Sequence, residues 1–216
     1  MTFDTVLFDL DGTLLDTAPD MIATINRMRQ QREQQAIEAA ELRPFVSHGS
    51  IALLREGLGI HSDAPEYEDM RQRFLDDYHD NICIETALFD GMDDILNHLE
   101  STGTPWGVVT NKPGWLTHKL MSALALDQRA ACIVSGDTVE HSKPHPLPMQ
   151  YACEVIGVPP SKVLYIGDAE RDIIAGKAAG MATLVAGFGY LGSHDTPESW
   201  GADAIIDHPS EILNWL

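Results

Sequence analysis

From Pro105 onward the chain repeats one pattern: a short apolar run, a polar cluster at its end, then a helical stretch. Runs at 106–110, 131–134, 163–166, 183–185 and 204–206 are 3–5 residues long and rich in Val, Ile and Leu, and 5–8 is another. Runs of that length and composition predict strands buried on both faces. Between them, helices are predicted at 114–125, 145–156 and 169–179. The second carries Leu147, Tyr151 and Val155 on one stripe, with Pro144 and Pro146 suited to its first turn. Strand–helix alternation of this kind implies an α/β fold, a doubly wound parallel sheet with right-handed crossovers.

Residues 18–82 break the alternation. They are rich in Gln, Glu, Arg, Met and Ala and show no buried strand. Helices are predicted at 18–33, 49–58 and 65–80. The expected organisation is therefore an α/β core of residues 1–16 and 83–216, resuming its alternation near Leu88, with an all-helical cap domain inserted at 17–82. A length of 216 residues accommodates both, and 44% apolar residues suffice for a sizeable core.

The charge excludes several partners. With 14 Lys and Arg against 33 Asp and Glu, the net charge is −19, which leaves no basic face for nucleic acid or an anionic membrane. An anionic substrate must be held by a few local cations, backbone N–H groups or a metal. Cys83, Cys132 and Cys153 form no C-x-x-C pair and are expected to be free thiols in a reducing compartment. Asp4, Asp9 and Asp11 interrupt the start before any signal-like apolar run, and the charge-free stretch 178–194 is short and broken by glycines. A cytoplasmic protein, monomer or homodimer, is expected.

In open α/β sheets ligands bind at the carboxyl ends of the strands, and four predicted strands end in polar residues. The first runs into Asp9-Leu-Asp11-Gly-Thr13. Two carboxylates so close are costly unless a cation or a proton relay accompanies them. A calcium loop fits poorly, because Gly12 is fourth and Asp20 twelfth where glycine sixth and glutamate twelfth are needed. The next ends in Thr110-Asn111-Lys112-Pro113, whose hydroxyl and N–H groups suit phosphate oxygens. Lys143 stands just before a predicted helix, where the helix dipole disfavours a cation unless an anion lies between. Finally Gly167-Asp168 is followed by Asp172. Asp168 is placed as the helix N-cap, and the second acid one turn later points to divalent metal ligation.

In that order these motifs resemble the haloacid dehalogenase superfamily of phosphotransferases, over the whole chain. The resemblance implies Asp9 as nucleophile, Asp11 as general acid/base, and Thr110, Asn111 and Lys143 around the phosphoryl group. It implies Mg²⁺ held by Asp9, the backbone carbonyl of Asp11 and Asp168, with Asp172 close by or ligating through water. An acid two residues after the nucleophile is similar to the phosphatases and mutases rather than the dehalogenases. Residues 11–19, 109–113 and 143–146 look like the phosphoglycolate phosphatase group. Phe188-Gly-Tyr190, Trp200-Gly-Ala-Asp203 and Asp207-His-Pro209 are similar to a proteobacterial branch that dephosphorylates N-acetylmuramic acid 6-phosphate. That branch carries small residues at the cap turn where this chain has His48.

The resemblance thus implies a phosphomonoesterase acting on a small phosphorylated metabolite. The cap should select the leaving group, with Ser47, His48 and Gly49 of the 46–50 turn and Arg43 as candidates for contacting it. Two alternatives stay open: a phosphosugar mutase of the same superfamily, and a non-enzymatic phospho-accepting receiver. The match of 187–192 to G-x-G-x-x-G is set aside as a dinucleotide site, since no apolar-striped helix follows it.

Overall fold

The computed structural model describes residues 3–216. The core strands are β1 (Thr5–Phe8), β4 (Trp106–Val109), β5 (Cys132–Val134), β6 (Val163–Gly167), β7 (Ala182–Ala186) and β8 (Ala204–Ile206). They form one sheet in the order β5-β4-β1-β6-β7-β8, parallel throughout. Phe8 registers with Val108 on one side and Ile166 on the other. The chain fills one side of β1 and then crosses to fill the other. The switch point, where a crevice opens, therefore falls at the carboxyl end of β1.

Alternation along the strands feeds two apolar layers. Val6, Phe8, Val108, Leu164 and Ile166 face one side, with α5 (Met92–Thr102) and α6 (Gly114–Ala123). Leu7, Val109, Val163 and Tyr165 face the other, with α7 (Leu147–Ile156) and α8 (Glu170–Ala179). Both faces are covered, which is why the strands read as unbroken apolar runs.

Between β2 (Leu15–Asp16) and β3 (Ala87–Leu88) lies an all-helical insert, α1 (Ala18–Gln31), α2 (Ala39–Leu42), a 3₁₀ turn (Arg43–His48), α3 (Gly49–Leu58) and α4 (Tyr67–Asp80). Met21, Ile22, Ile25 and Met28 pack with Leu53, Leu54, Phe74 and Tyr78 as its apolar centre. The chain enters and leaves through the antiparallel pair Leu15↔Leu88 and Asp16↔Ala87. Asp20 ties the two crossings together, its buried carboxylate accepting from the backbone N–H groups of Ile84, Glu85 and Thr86 and from the Thr86 hydroxyl at 2.7–3.1 Å.

Several expectations are corrected. The helix expected at 145–156 begins at Leu147 and buries Pro148, Met149, Ala152 and Cys153, while Tyr151 and Val155 face solvent. Met149, Ala152 and Cys153 meet the sheet, so the stripe of Leu147, Tyr151 and Val155 was the wrong face. The cap of α8 is Ala169, not Asp168, because Asp172 at the third helical position reaches back to the Ala169 N–H. The β2/β3 pair was not anticipated, two residues per strand being too few to show a period. Nor was α5, although Met92, Ile95, Leu96 and Leu99 make a plain helical stripe. Among the described residues no helix is long and apolar enough to cross a membrane.

Candidate active site

Asp9 leaves β1 at the switch point, buried, with its Oδ1 accepting the Leu10 N–H at 2.7 Å. The chain then turns at Gly12, in the left-handed region at φ 87°. A Cβ there would collide with the Asp168 carboxylate, and one at Gly189 with the Gly12 carbonyl. These two glycines let the loops after β1 and β7 close around Asp168. That accounts for Gly189 without a dinucleotide, and a 3₁₀ turn (Pro197–Ser199) follows the loop where such a site needs a long helix.

Asp9, Asp168 and Asp172 are buried together and offer ligand oxygens all within 4.8 Å of one another. Burial, then the charges of Asp9 and Asp172, push the Asp168 carboxyl up to about 7. Burial raises Asp172 as well, against the pull of Lys143. Lys143 is the local counterweight. Its buried ammonium lies 2.8 Å from Asp9 Oδ1 and 2.6 Å from Asp172 Oδ1, and donates to the Val109 carbonyl and Tyr165 hydroxyl at 2.8 and 2.9 Å. Its charge is thus met by two carboxylates. Three hard oxygen donors, crowded and short of positive charge, form a cluster that could hold a divalent cation of the Mg²⁺ type. The Asp11 carboxylate is not part of it. Its Oδ1 takes the Thr17 hydroxyl at 2.7 Å and the Lys112 ammonium at 2.8 Å.

A cavity of about 340 Å³ opens over these groups between core and insert, lined by Asp9, Asp11, Thr110, Asn111 and Lys112 below and by the 46–51 turn and α4 above. Thr110 is buried at the end of β4, its hydroxyl accepting the Lys112 N–H at 3.1 Å. The Asn111 side chain does not point freely at a ligand as expected. Its amide pairs in both directions with the Lys143 main chain at 2.9 Å, so it holds the lysine loop. Ser47, His48 and Gly49 do reach the cavity. Ser47 Oγ donates to Asp168 Oδ2 at 2.5 Å, and Arg171 Nη2 donates to the Ser47 carbonyl at 2.7 Å. His48 keeps solvent contact, yet desolvation of its ring and the nearby Arg171 charge push its pKa below the ordinary histidine value.

Arg43 is a correction. Its guanidinium grips Asp16 with two 3.0 Å bonds and lies over the Tyr190 ring, outside the cavity. A carboxylate at the insert's entry satisfies it better than a distant ligand. Lys112, Tyr78 and Arg171 were missed. Lys112 stands three residues past the end of β4 in a stretch already singled out, and Arg171 lies inside the acidic motif. Tyr78 carried no signal, because only the fold of the insert brings it to β4.

Fold and site together define an α/β protein with a buried aspartate cluster at the switch point and a helical insert above it. The model of the haloacid dehalogenase-like hydrolase family matches residues 6–186, and the chain belongs to that family. An N-acetylmuramic acid 6-phosphate phosphatase of Pseudomonas aeruginosa is 42% identical over 216 residues, covering 100% of this chain and 96% of its own. A phosphoglycolate phosphatase of Xanthomonas campestris pv. campestris is 45% identical over 207 residues, covering 96% and 93%. Among solved structures, a predicted phosphoglycolate phosphatase from Haemophilus somnus superposes with a TM-score of 0.86 at 26% identity, covering 99% and 98%. The chain is thus a phosphatase of this family, and the receiver alternative is set aside.

Proposed function

We propose that the protein is a Mg²⁺-dependent phosphomonoesterase working through an aspartyl phosphate on Asp9, with residues 17–82 as the lid that selects the ester. The observation that carries this reading is the buried Asp9 at the switch point, 2.8 Å from the Lys143 ammonium and within one three-carboxylate cluster. Asp9, the Asp11 carbonyl and Asp168 would hold Mg²⁺, with Asp172 close by. Bound there, the ion supplies positive charge that offsets repulsion between carboxylate and phosphate dianion.

Asp9 Oδ attacks phosphorus as the ester P–O bond breaks, splitting one hard displacement into two. Asp11 gives a proton to the leaving oxygen, then takes one from the water that hydrolyses the acyl phosphate. Lys143 and Thr110 hold phosphoryl oxygens, and Lys143 stabilises the charge that spreads over them. Asp172 and Tyr165 keep Lys143 aimed. The cavity of about 340 Å³, walled above by Phe74, Leu75 and Ile51, has more room than a two-carbon ester fills. It favours N-acetylmuramic acid 6-phosphate over 2-phosphoglycolate.

The test is hydrolysis of p-nitrophenyl phosphate, 2-phosphoglycolate, N-acetylmuramic acid 6-phosphate and hexose phosphates with Mg²⁺, together with acid-quench trapping of the phosphoenzyme. Turnover and trapped label, both lost in Asp9→Asn, are expected. Turnover that survives Asp9→Asn overturns the nucleophile. Activity that requires a bisphosphate activator identifies a mutase instead.

A further inference from the structure

Lys112 has no part in the reaction as assigned above, yet it is among the best-buried cations of the molecule, its side chain 5% exposed. It lies across the seam between core and insert. From the loop after β4 its ammonium donates to Asp11 Oδ1 at 2.8 Å and to the Tyr78 hydroxyl of α4 at 3.0 Å, and sits 4.5 Å from the centre of the Tyr78 ring. The same Asp11 oxygen receives the Thr17 hydroxyl at 2.7 Å. A carboxylate oxygen has two lone-pair positions, so Oδ1 is filled. Any proton that Asp11 delivers must be carried on Oδ2.

We infer that Lys112, held by Tyr78, is a positioning residue that occupies Asp11 Oδ1 and so aims Oδ2 at the ester's leaving oxygen when the insert lies on the core. This rests on the proposed phosphatase mechanism and extends it. Thr17 begins the insert and Tyr78, which holds Lys112, nearly ends it, so both hydrogen bonds to Asp11 Oδ1 are tied to where the insert sits. The acid is aimed only when α4 covers the cavity. In the step itself, the Oδ2 proton passes to the leaving oxygen while the P–O bond breaks, and Lys112 keeps all its protons.

The test separates aiming from binding. General-acid help matters for an alkoxide leaving group and little for p-nitrophenolate, which departs unprotonated. In Lys112→Met, the rapid-quench rate of phosphoenzyme formation from N-acetylmuramic acid 6-phosphate or 2-phosphoglycolate should fall about 10- to 100-fold, against less than about threefold from p-nitrophenyl phosphate. Tyr78→Phe, which keeps the ring and deletes the hydroxyl, should show the same split at smaller size, and decides the matter if Lys112→Met does not fold. Combined with Asp11→Asn, either change should add almost nothing to the loss on the alkyl ester.

Equal losses on both ester classes in phosphoenzyme formation, a raised KM with that rate unchanged, or losses that multiply in the double variant overturn the inference and make Lys112 a direct ligand or a structural ion. Wild-type protein inert toward both classes overturns the phosphatase mechanism itself, and the inference with it.

Discussion

Lys143 Nζ lies 2.6 Å from Asp172 Oδ1, and neither side chain has any solvent exposure. The pair joins the structural and chemical demands of the site: Asp172 caps α8 through Oδ2 and aims the lysine through Oδ1. Lys143→Ala therefore does more than remove a phosphate contact. It leaves Asp9 and Asp172 buried without their cation, a loss of about 3–5 kcal/mol. Denaturant unfolding should show that loss, and kcat should fall at least about 10²-fold.

Asp168 makes a second prediction. Its folded pKa of about 7 stands well above the ordinary aspartate value, so the folded state favours the protonated acid. The cost of ionising Asp168 is absent below about pH 4 and grows as pH rises through 7. In EDTA at pH 8, Asp168→Asn should consequently melt higher than wild type. Added Mg²⁺ should raise the wild-type Tm by about 2–5 °C and leave the variant unchanged. Full wild-type turnover in EDTA would falsify the metal assignment.

Asp20 carries stability rather than chemistry. It gathers four donors from residues 84–86 across the two crossings into the insert. Asp20→Ala leaves buried N–H groups unmatched and should cost about 3 kcal/mol by urea unfolding. Because it frees the insert's hinge, it should also raise KM more than it lowers kcat.

Burial pushes the Cys132 thiol up to about 12. At pH 8 it should resist iodoacetamide in the folded protein and react once unfolded, as read by mass spectrometry. The raised pKa means its stabilising contribution is full below about pH 8.5, the unfolded value, and is lost as pH rises toward 12. Cys132→Ala should flatten the alkaline side of the stability curve.

The core of the fold was legible because it is local. Strands such as 5–8 and 163–166 are buried on both faces and announce themselves as apolar runs, and helix 49–58 was read to the residue. The four strand-end motifs were legible for the same reason, since a parallel sheet brings all its carboxyl ends to one edge. Asp9, Asp168 and Asp172 could thus be expected near one another before any distance was known.

What lay outside the sequence's reach is the pairing across that edge. Nothing in the run Thr110–Pro113 says that Asn111 turns back to the Lys143 main chain while Lys112 turns to Asp11. Nothing near Arg43 says that Asp16 satisfies it. Those choices depend on which partner is closest in three dimensions, and in a desolvated site the nearest opposite charge wins because an unpaired ion is so costly there. Residue type and order determined the chemistry available to this protein. Packing of the helical insert against the sheet decided which of its charges remain for a substrate.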